Sequence, residues 1–279
     1  MTANRDYGKW LIWPAIILLI LFILAPAVEI FRASIFDPEF TTEHINRILE
    51  RDIYLTILWR TIKVSLIVSI LSALIAYPVA YFIVKRPRQQ QFAFLFLIFV
   101  PMWMNVLIRT YAWMVVLGRE GIINSTMIAL GLIDESIQML FTSGAVYVSM
   151  IQILLPIQIV TCYSAMTEID FDLIRAARIL GASPAQAMRK VFLPLSLDGT
   201  ITGMIIVFML SMGFFITPAL VGGPTDLMLG NLIEMQVEQL NWGFAAMIAI
   251  LLFFSTLIIV LVLRRISKML TKSLSRGSL

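Results

Sequence analysis

The chain has 279 residues, 60% of them apolar and only 14% charged, with a net charge of +4. An ordinary soluble domain carries about 45–50% apolar and about 25% charged residues, so the apolar excess must face lipid. A soluble enzyme, a disulfide-built secreted domain and a disordered chain are excluded, and a lone Cys162 with a lone His44 leaves no material for a Cys- or His-based metal cluster.

Six stretches supply the roughly 20 apolar residues that cross a ~30 Å hydrocarbon core: 10–31, 62–84, 92–108, 141–165, 199–221 and 243–263. Backbone groups cannot stay unpaired in lipid, so these stretches are expected to be helices. Alternating ten-residue segments of a β-barrel are absent. The expected fold is an all-α integral membrane domain over 10–265, between an N-terminus at 1–9 and a tail at 266–279. The first stretch shares features with a signal peptide: Arg5, Lys9 and Ala25-Pro26-Ala27. Its apolar run continues to Phe31, however, which favours a retained span. Fourteen Lys and Arg fall on the side holding both termini, against seven on the other, so both termini are expected to be cytoplasmic.

Along the chain, Glu29 near the outer end of the first span reads as structural. Residues 43–63 read as one amphipathic helix outside the membrane, able to touch a partner or rest on the bilayer. The third span ends on Asn105, Arg109 and Tyr111. Arg109 is expected at its outer end, lining the mouth or paired with Glu120. Trp103, Tyr111 and Trp113 read as an interfacial aromatic belt. In the fourth span Gln152 and Gln158 bracket Pro156, with interhelical hydrogen bonds favoured over solute contact.

Residues 167–198 form the one long cytoplasmic loop. Asp170 or Asp172 can cap a first helix whose Leu173, Ala176, Ala177 and Leu180 fall on one stripe, with Asp172, Arg175 and Arg178 on the polar face. Gly181 is placed to end that helix. Ser183, Pro184 and Gln186 start a second, with Pro194 expected to close it. Ala182 completes the turn between them. From these residues alone two readings stay open: a hairpin lying on lipid headgroups, or a docking bracket for another protein.

The fifth span is expected to break at Gly222-Gly223-Pro224. The segment from Val221 to Trp242 then carries Asp226, Glu234 and Glu238 without a Lys or Arg. It reads either as an ordinary solvated loop or as an acidic mouth that attracts cations. Glu234, which follows Gly230-Asn231, could re-enter the membrane on a short helix.

The 167–198 loop resembles the EAA loop of binding-protein-dependent ABC importer permeases: E-A-A, three residues, G, nine residues, I, one residue, L-P. Ala176, Ala177, Gly181, Val191, Leu193 and Pro194 match without a gap, and Arg175 stands where Glu is usual. Residues 105–111, 118–124, 220–223 and 229–236 are similar to the spermidine/putrescine permease branch, whose members include permeases for other amines, opines and small anions. The resemblance implies the type I importer (MetI-like) fold and a transport subunit that is not an enzyme. It implies an ATPase dimer holding ATP and Mg, a second permease subunit and a periplasmic solute-binding protein as partners, with no nucleic acid. The chain itself has no G-x-x-x-x-G-K-[ST] loop for nucleotide and is expected to hold no cofactor. The resemblance makes Asp172, Arg175, Ala176, Ala177, Gly181, Ala182, Ser183, Pro184, Leu193 and Pro194 the coupling set. Candidates for the substrate path are Trp103, Asn105, Arg109, Tyr111, Gln152, Asp226, Asn231 and Glu234. A secondary transporter would instead show inverted repeats and charged pairs at the midplane, and neither is evident. A membrane enzyme lacks a catalytic cluster.

Overall fold

The computed structural model describes residues 7–36 and 39–276, and Arg5 and the first six residues lie outside that range. The elements in chain order are α1 (Tyr7–Ile35), α2 (Glu43–Glu50), α3 (Asp52–Val84), α4 (Arg88–Phe99), a 3-10 turn (Val100–Trp103), α5 (Val106–Leu117) and α6 (Ile122–Ala129). These are followed by α7 (Ser143–Thr167), α8 (Phe171–Ile179), α9 (Pro184–Ala187), a π-helical segment (Met188–Phe192), α10 (Leu193–Met212), α11 (Ile216–Val221), α12 (Leu229–Glu238) and α13 (Trp242–Arg276). Among the described residues five helices are long and apolar enough to cross a membrane, or six if a bent pair counts as one span.

Three of the expected elements take a different form. The third span is not one helix over 92–108: Arg88–Trp103 and Val106–Ala129 meet at a 93° bend. Pro101 ends the first part, and the Asn105 side chain accepts from Leu107 N at 2.8 Å to start the second. The fifth span ends at Met212, not Val221, and the chain resumes as α11 after a break at Gly213–Phe215. The 43–63 helix divides at Arg51, whose extended backbone separates α2 from α3. α13 continues past residue 265 as one helix to Arg276.

At the centre, α3, α7 and α10 pack together. Small residues set their spacing: a Cβ on Gly199 would overlap Ala165, and one on Gly203 would meet Gln158 and Thr161 at 2.8 Å. Backbones can therefore approach closely, which matters in lipid, where helix association relies on packing and interhelical hydrogen bonds. A polar seam runs through this contact. Tyr77 and Ser196 share a hydrogen bond of 2.7 Å, and the buried Gln158 donates to Thr200 O at 3.0 Å. Of the two readings of Gln158, the interhelical one is what the structure displays.

The apolar surface left outside this core is extensive. α1 lies against α13 and exposes its apolar side chains along nearly its whole length. Glu29 forms an exposed ion pair with Arg32 at 3.7 Å. A helix of such composition needs lipid or another membrane protein beside it.

Candidate functional site

The two breaks within the spans face one another. Met102 and Val106 flank the first, Gly213, Phe214 and Phe215 form the second, and together they line a cavity of about 340 Å³ against Ile153, Leu154 and Ile157 of α7. Non-helical backbone at membrane depth is tolerated only where protein buries it or a wet cavity receives it. Here both occur. Ile153 lies ten residues into α7, roughly 15 Å from its Ser143 end at 1.5 Å per residue, so the cavity sits near the middle of the span.

Arg109 is the charged residue of that wall. It was expected at the outer end of the third span, but the bend at Met104–Asn105 carries α5 back alongside α7. Its guanidinium donates to Ile153 O at 3.5 Å and does not reach Glu120. Pro156 gives no N–H to the carbonyl of Gln152, the residue before Ile153, and so loosens the ladder of α7 beside this contact. The aromatic belt divides likewise. Trp103 and Tyr111 are exposed, whereas Trp113 is half-buried and donates through Nε1 to Gln152 Oε1 at 3.3 Å, tying α5 to α7. Gln152 is thereby an interhelical acceptor.

The 222–241 segment closes the opposite end from α8. Asp226, expected to face a mouth, is only 8% exposed. One carboxylate oxygen accepts from Ser143 Oγ and the other from Gly223 N at 2.9 Å. The reason is local: the Gly222-Gly223-Pro224 turn leaves the buried Gly223 N–H in need of an acceptor, while Gly222 N is paired with Pro218 O at 3.1 Å. Asn231 is buried too. Its Oδ1 accepts from Met228 N at 3.0 Å while Nδ2 donates to Phe215 O at 2.7 Å, a second bond to a carbonyl that also accepts from Ala219 N at 3.0 Å, so α12 is tied to the α10–α11 break. Gly230 allows this approach, because a Cβ there would lie 2.9 Å from Phe214 O. Asp226 and Asn231 are thus structural staples of the cavity, and Glu234, half-buried on the short helix α12, and the exposed Glu238 remain nearer to solvent.

At the other end the bracket forms largely as the sequence suggests. Asp170 caps α8 by accepting from Asp172 N at 2.9 Å. Gly181 has φ +92°, with Gly181 N donating to Arg178 O at 3.1 Å and Ala182 N to Ala177 O at 3.0 Å, a Schellman stop. Ser183 and Gln186 exchange reciprocal side-chain bonds to each other's backbone, with Pro184 at the first helical position. Pro194 does not end the second helix. The π turn over Met188–Phe192 carries the chain past a residue with no N–H to give, so Pro184–Met212 continues as one helical unit through Leu193. The apolar stripe is not buried against the bundle: Leu173 is 50% and Leu180 is 88% exposed, and the neighbouring Ile179 is 85% exposed. Next to them a groove of about 400 Å³ is lined by Ala177, Ala182, Gln186, Lys190, Val191 and Pro194. Arg175 pairs with Asp172 of its own helix at 2.7 Å, both side chains remaining exposed, as is Ala176.

Residues 65–272 match the family described as binding-protein-dependent transport system inner membrane component. The chain belongs to that family. This permease is similar to the spermidine/putrescine transport system permease protein PotB of Escherichia coli (strain K12), 33% identical over 263 residues that cover 91% of this chain and 95% of the relative. The PotB of Haemophilus influenzae is 32% identical, covering 91% and 92%. The Escherichia coli inner membrane ABC transporter permease protein YdcU is 30% identical over 71% of this chain and 67% of its own. In backbone the permease resembles a chain of a bacterial alginate ABC transporter, with a TM-score of 0.77 at 17% identity over 96% of both chains. A chain of the MetNI methionine ABC transporter gives 0.53 at 21% identity, over 77% of this chain and 93% of that one. The expected all-α importer-permease fold is therefore present. The permease is a multi-pass transport subunit of an ABC importer in the inner membrane and not an enzyme.

The two mid-membrane breaks were not read from the sequence, although signals for them exist. Asn105 follows Pro101 by four residues, and Gly213 precedes Phe-Phe-Ile-Thr-Pro218. Uniform hydropathy across both breaks conceals them.

Proposed function

We propose that this permease forms half of the path of a polyamine importer, for putrescine, spermidine or a related cationic amine. The observation that supports this is the 33% identity with a spermidine/putrescine permease across nearly the whole of both chains. A second, homologous permease supplies the other half. The cavity wall of α5, α7, α10 and α11 is open on one side and would be completed by that chain. A periplasmic binding protein delivers the solute at the 222–241 end, and both termini lie with α8 in the cytoplasm, in keeping with the excess of Lys and Arg there. An ATPase dimer, binding ATP and Mg, docks on the bracket of 167–198. The exposed Ile179 and Leu180 beside an open groove support docking over a hairpin sunk into the membrane surface, because the stripe would have to leave the bundle for either partner and a groove suits a protein knob. ATP-driven closure would then push on α8 and α9 and, through the unbroken Pro184–Met212 unit, on the break at Gly213.

The importer reconstituted with its binding protein tests the substrate. Putrescine or spermidine should stimulate ATP hydrolysis and accumulate in liposomes, and opines or phosphonates should not. Stimulation by an anion with none by any amine would sink the polyamine reading.

Arg175 tests the docking face separately. Its pair with Asp172 is solvent-exposed and adds little to folding. Arg175→Glu would place two carboxylates three residues apart on the face offered to the ATPase. Co-purified ATPase should fall several-fold for Arg175→Glu and less for Arg175→Ala, with unchanged permease yield. Equal recovery in both would place Arg175 outside the interface.

A further inference from the structure

The mid-membrane cavity poses a chemical problem for a cationic solute. Its lining is apolar apart from Arg109, and no carboxylate of this chain is among the lining residues. The guanidinium has the Ile153 carbonyl as an acceptor at 3.5 Å, a long contact. Its Nε is buried with no acceptor. A carbonyl dipole and a long hydrogen bond do not neutralise a full charge, so the positive field of Arg109 reaches the cavity. Ionisable groups within spans are costly and face the interior or a water-filled space when retained, and a fixed guanidinium is one of the devices by which pores exclude cations.

A packing role alone does not account for this placement. Trp113 and Gln152 already join α5 to α7, and Thr110 and Thr217 join α5 to α11 at 3.2 Å. A neutral side chain would fill the wall at lower cost. A substrate-holding role fails on charge, because a polyamine would be repelled from this wall.

We propose that Arg109 is a fixed-charge barrier that keeps the translocation cavity impermeable to small cations. The inference rests on reading this cavity as the importer's path. Its consequence for the transported solute is that this chain's wall does not retain a cation. The solute crosses because the binding protein delivers it and ATP drives the conformational change, and repulsion from Arg109 favours its departure. An importer with a wide path needs such a device whenever the path is hydrated, since potassium or sodium could otherwise follow down their gradients.

The test uses the complete importer in liposomes, without ATP or binding protein, and reads passive potassium and chloride flux. Arg109→Gln keeps a donor for the Ile153 carbonyl and removes the charge, whereas Arg109→Lys keeps the charge. Removing one fixed charge from a focused, low-dielectric path should raise potassium flux on the order of tenfold. Chloride flux should not rise in Arg109→Gln, and Arg109→Lys should stay as tight as the parent. A barrier made by packing would instead leak potassium and chloride alike in Arg109→Gln. That result, or a potassium flux equal to the parent's, or an Arg109→Lys variant as leaky as Arg109→Gln, would overturn the proposal. None of these readouts involves polyamine uptake, so the barrier and the substrate assignment fail independently.

Discussion

Asn231→Leu should destabilise the folded permease more than any other conservative change in the cavity region. Leucine matches asparagine in branching and heavy-atom count, so the substitution leaves no cavity. What disappears is both hydrogen bonds of the amide, to Met228 N at 3.0 Å and Phe215 O at 2.7 Å. Each buried group left unsatisfied costs about 1–3 kcal/mol. The Phe215 carbonyl keeps its bond from Ala219 N at 3.0 Å, whereas the N–H of the fully buried Met228 loses its acceptor. Melting in detergent should therefore fall by at least about 5 °C, and folded yield should drop. Asn231→Asp keeps an acceptor for Met228 N and should be intermediate. A leucine variant that melts with the parent would show that Met228 N finds another acceptor, and the staple would lose its role.

Gly181→Val should uncouple ATP hydrolysis from uptake while leaving the bundle intact. A Cβ at Gly181 meets nothing within 4 Å, so the effect is not steric crowding by neighbours. It is backbone strain: Gly181 has φ +92°, a conformation that costs an L-residue roughly 1–2 kcal/mol and is least tolerated by a β-branched one. Relieving that strain unwinds the Schellman stop and re-aims α9 relative to α8. Because 1.4 kcal/mol is a factor of ten, uptake at limiting ATPase should fall roughly tenfold, with insertion and melting near the parent. Gly181→Asn should retain most uptake, since asparagine visits the left-handed region more readily. Parent-like transport by Gly181→Val would remove the turn from the coupling mechanism.

Much of the bracket was legible because its information is local. Asp170, Gly181, Ser183 and Gln186 act within three or four residues of their own positions, and each does so by a hydrogen bond whose geometry the backbone already dictates. Pro194 misled because its usual effect as a helix breaker assumes an α-helical ladder, and the π turn ahead of it alters that ladder. The acidic mouth misled in another way. Asp226 and Glu234 look alike in a stretch without Lys or Arg. One is drawn inward by the Gly223 amide of a tight turn and the hydroxyl of Ser143, eighty-three residues away, while the other stays partly open to solvent.

By itself the sequence determined that this protein lives in lipid, that its spans are helical, and where the two short helices of the 167–198 loop start and stop. Each of these follows from composition or from contacts a few residues apart, where the hydrophobic effect and backbone hydrogen bonding leave one answer. Only the tertiary structure decided that two spans break at mid-membrane, that Asn231 closes one break from sixteen residues downstream, and that Arg109 stands in the cavity wall and not at its rim. The reason is that a broken span is as apolar as an intact one. Whether backbone can leave the helix there depends on acceptors, donors and open space brought by α7 and α12, and nothing within a few residues of the break specifies those.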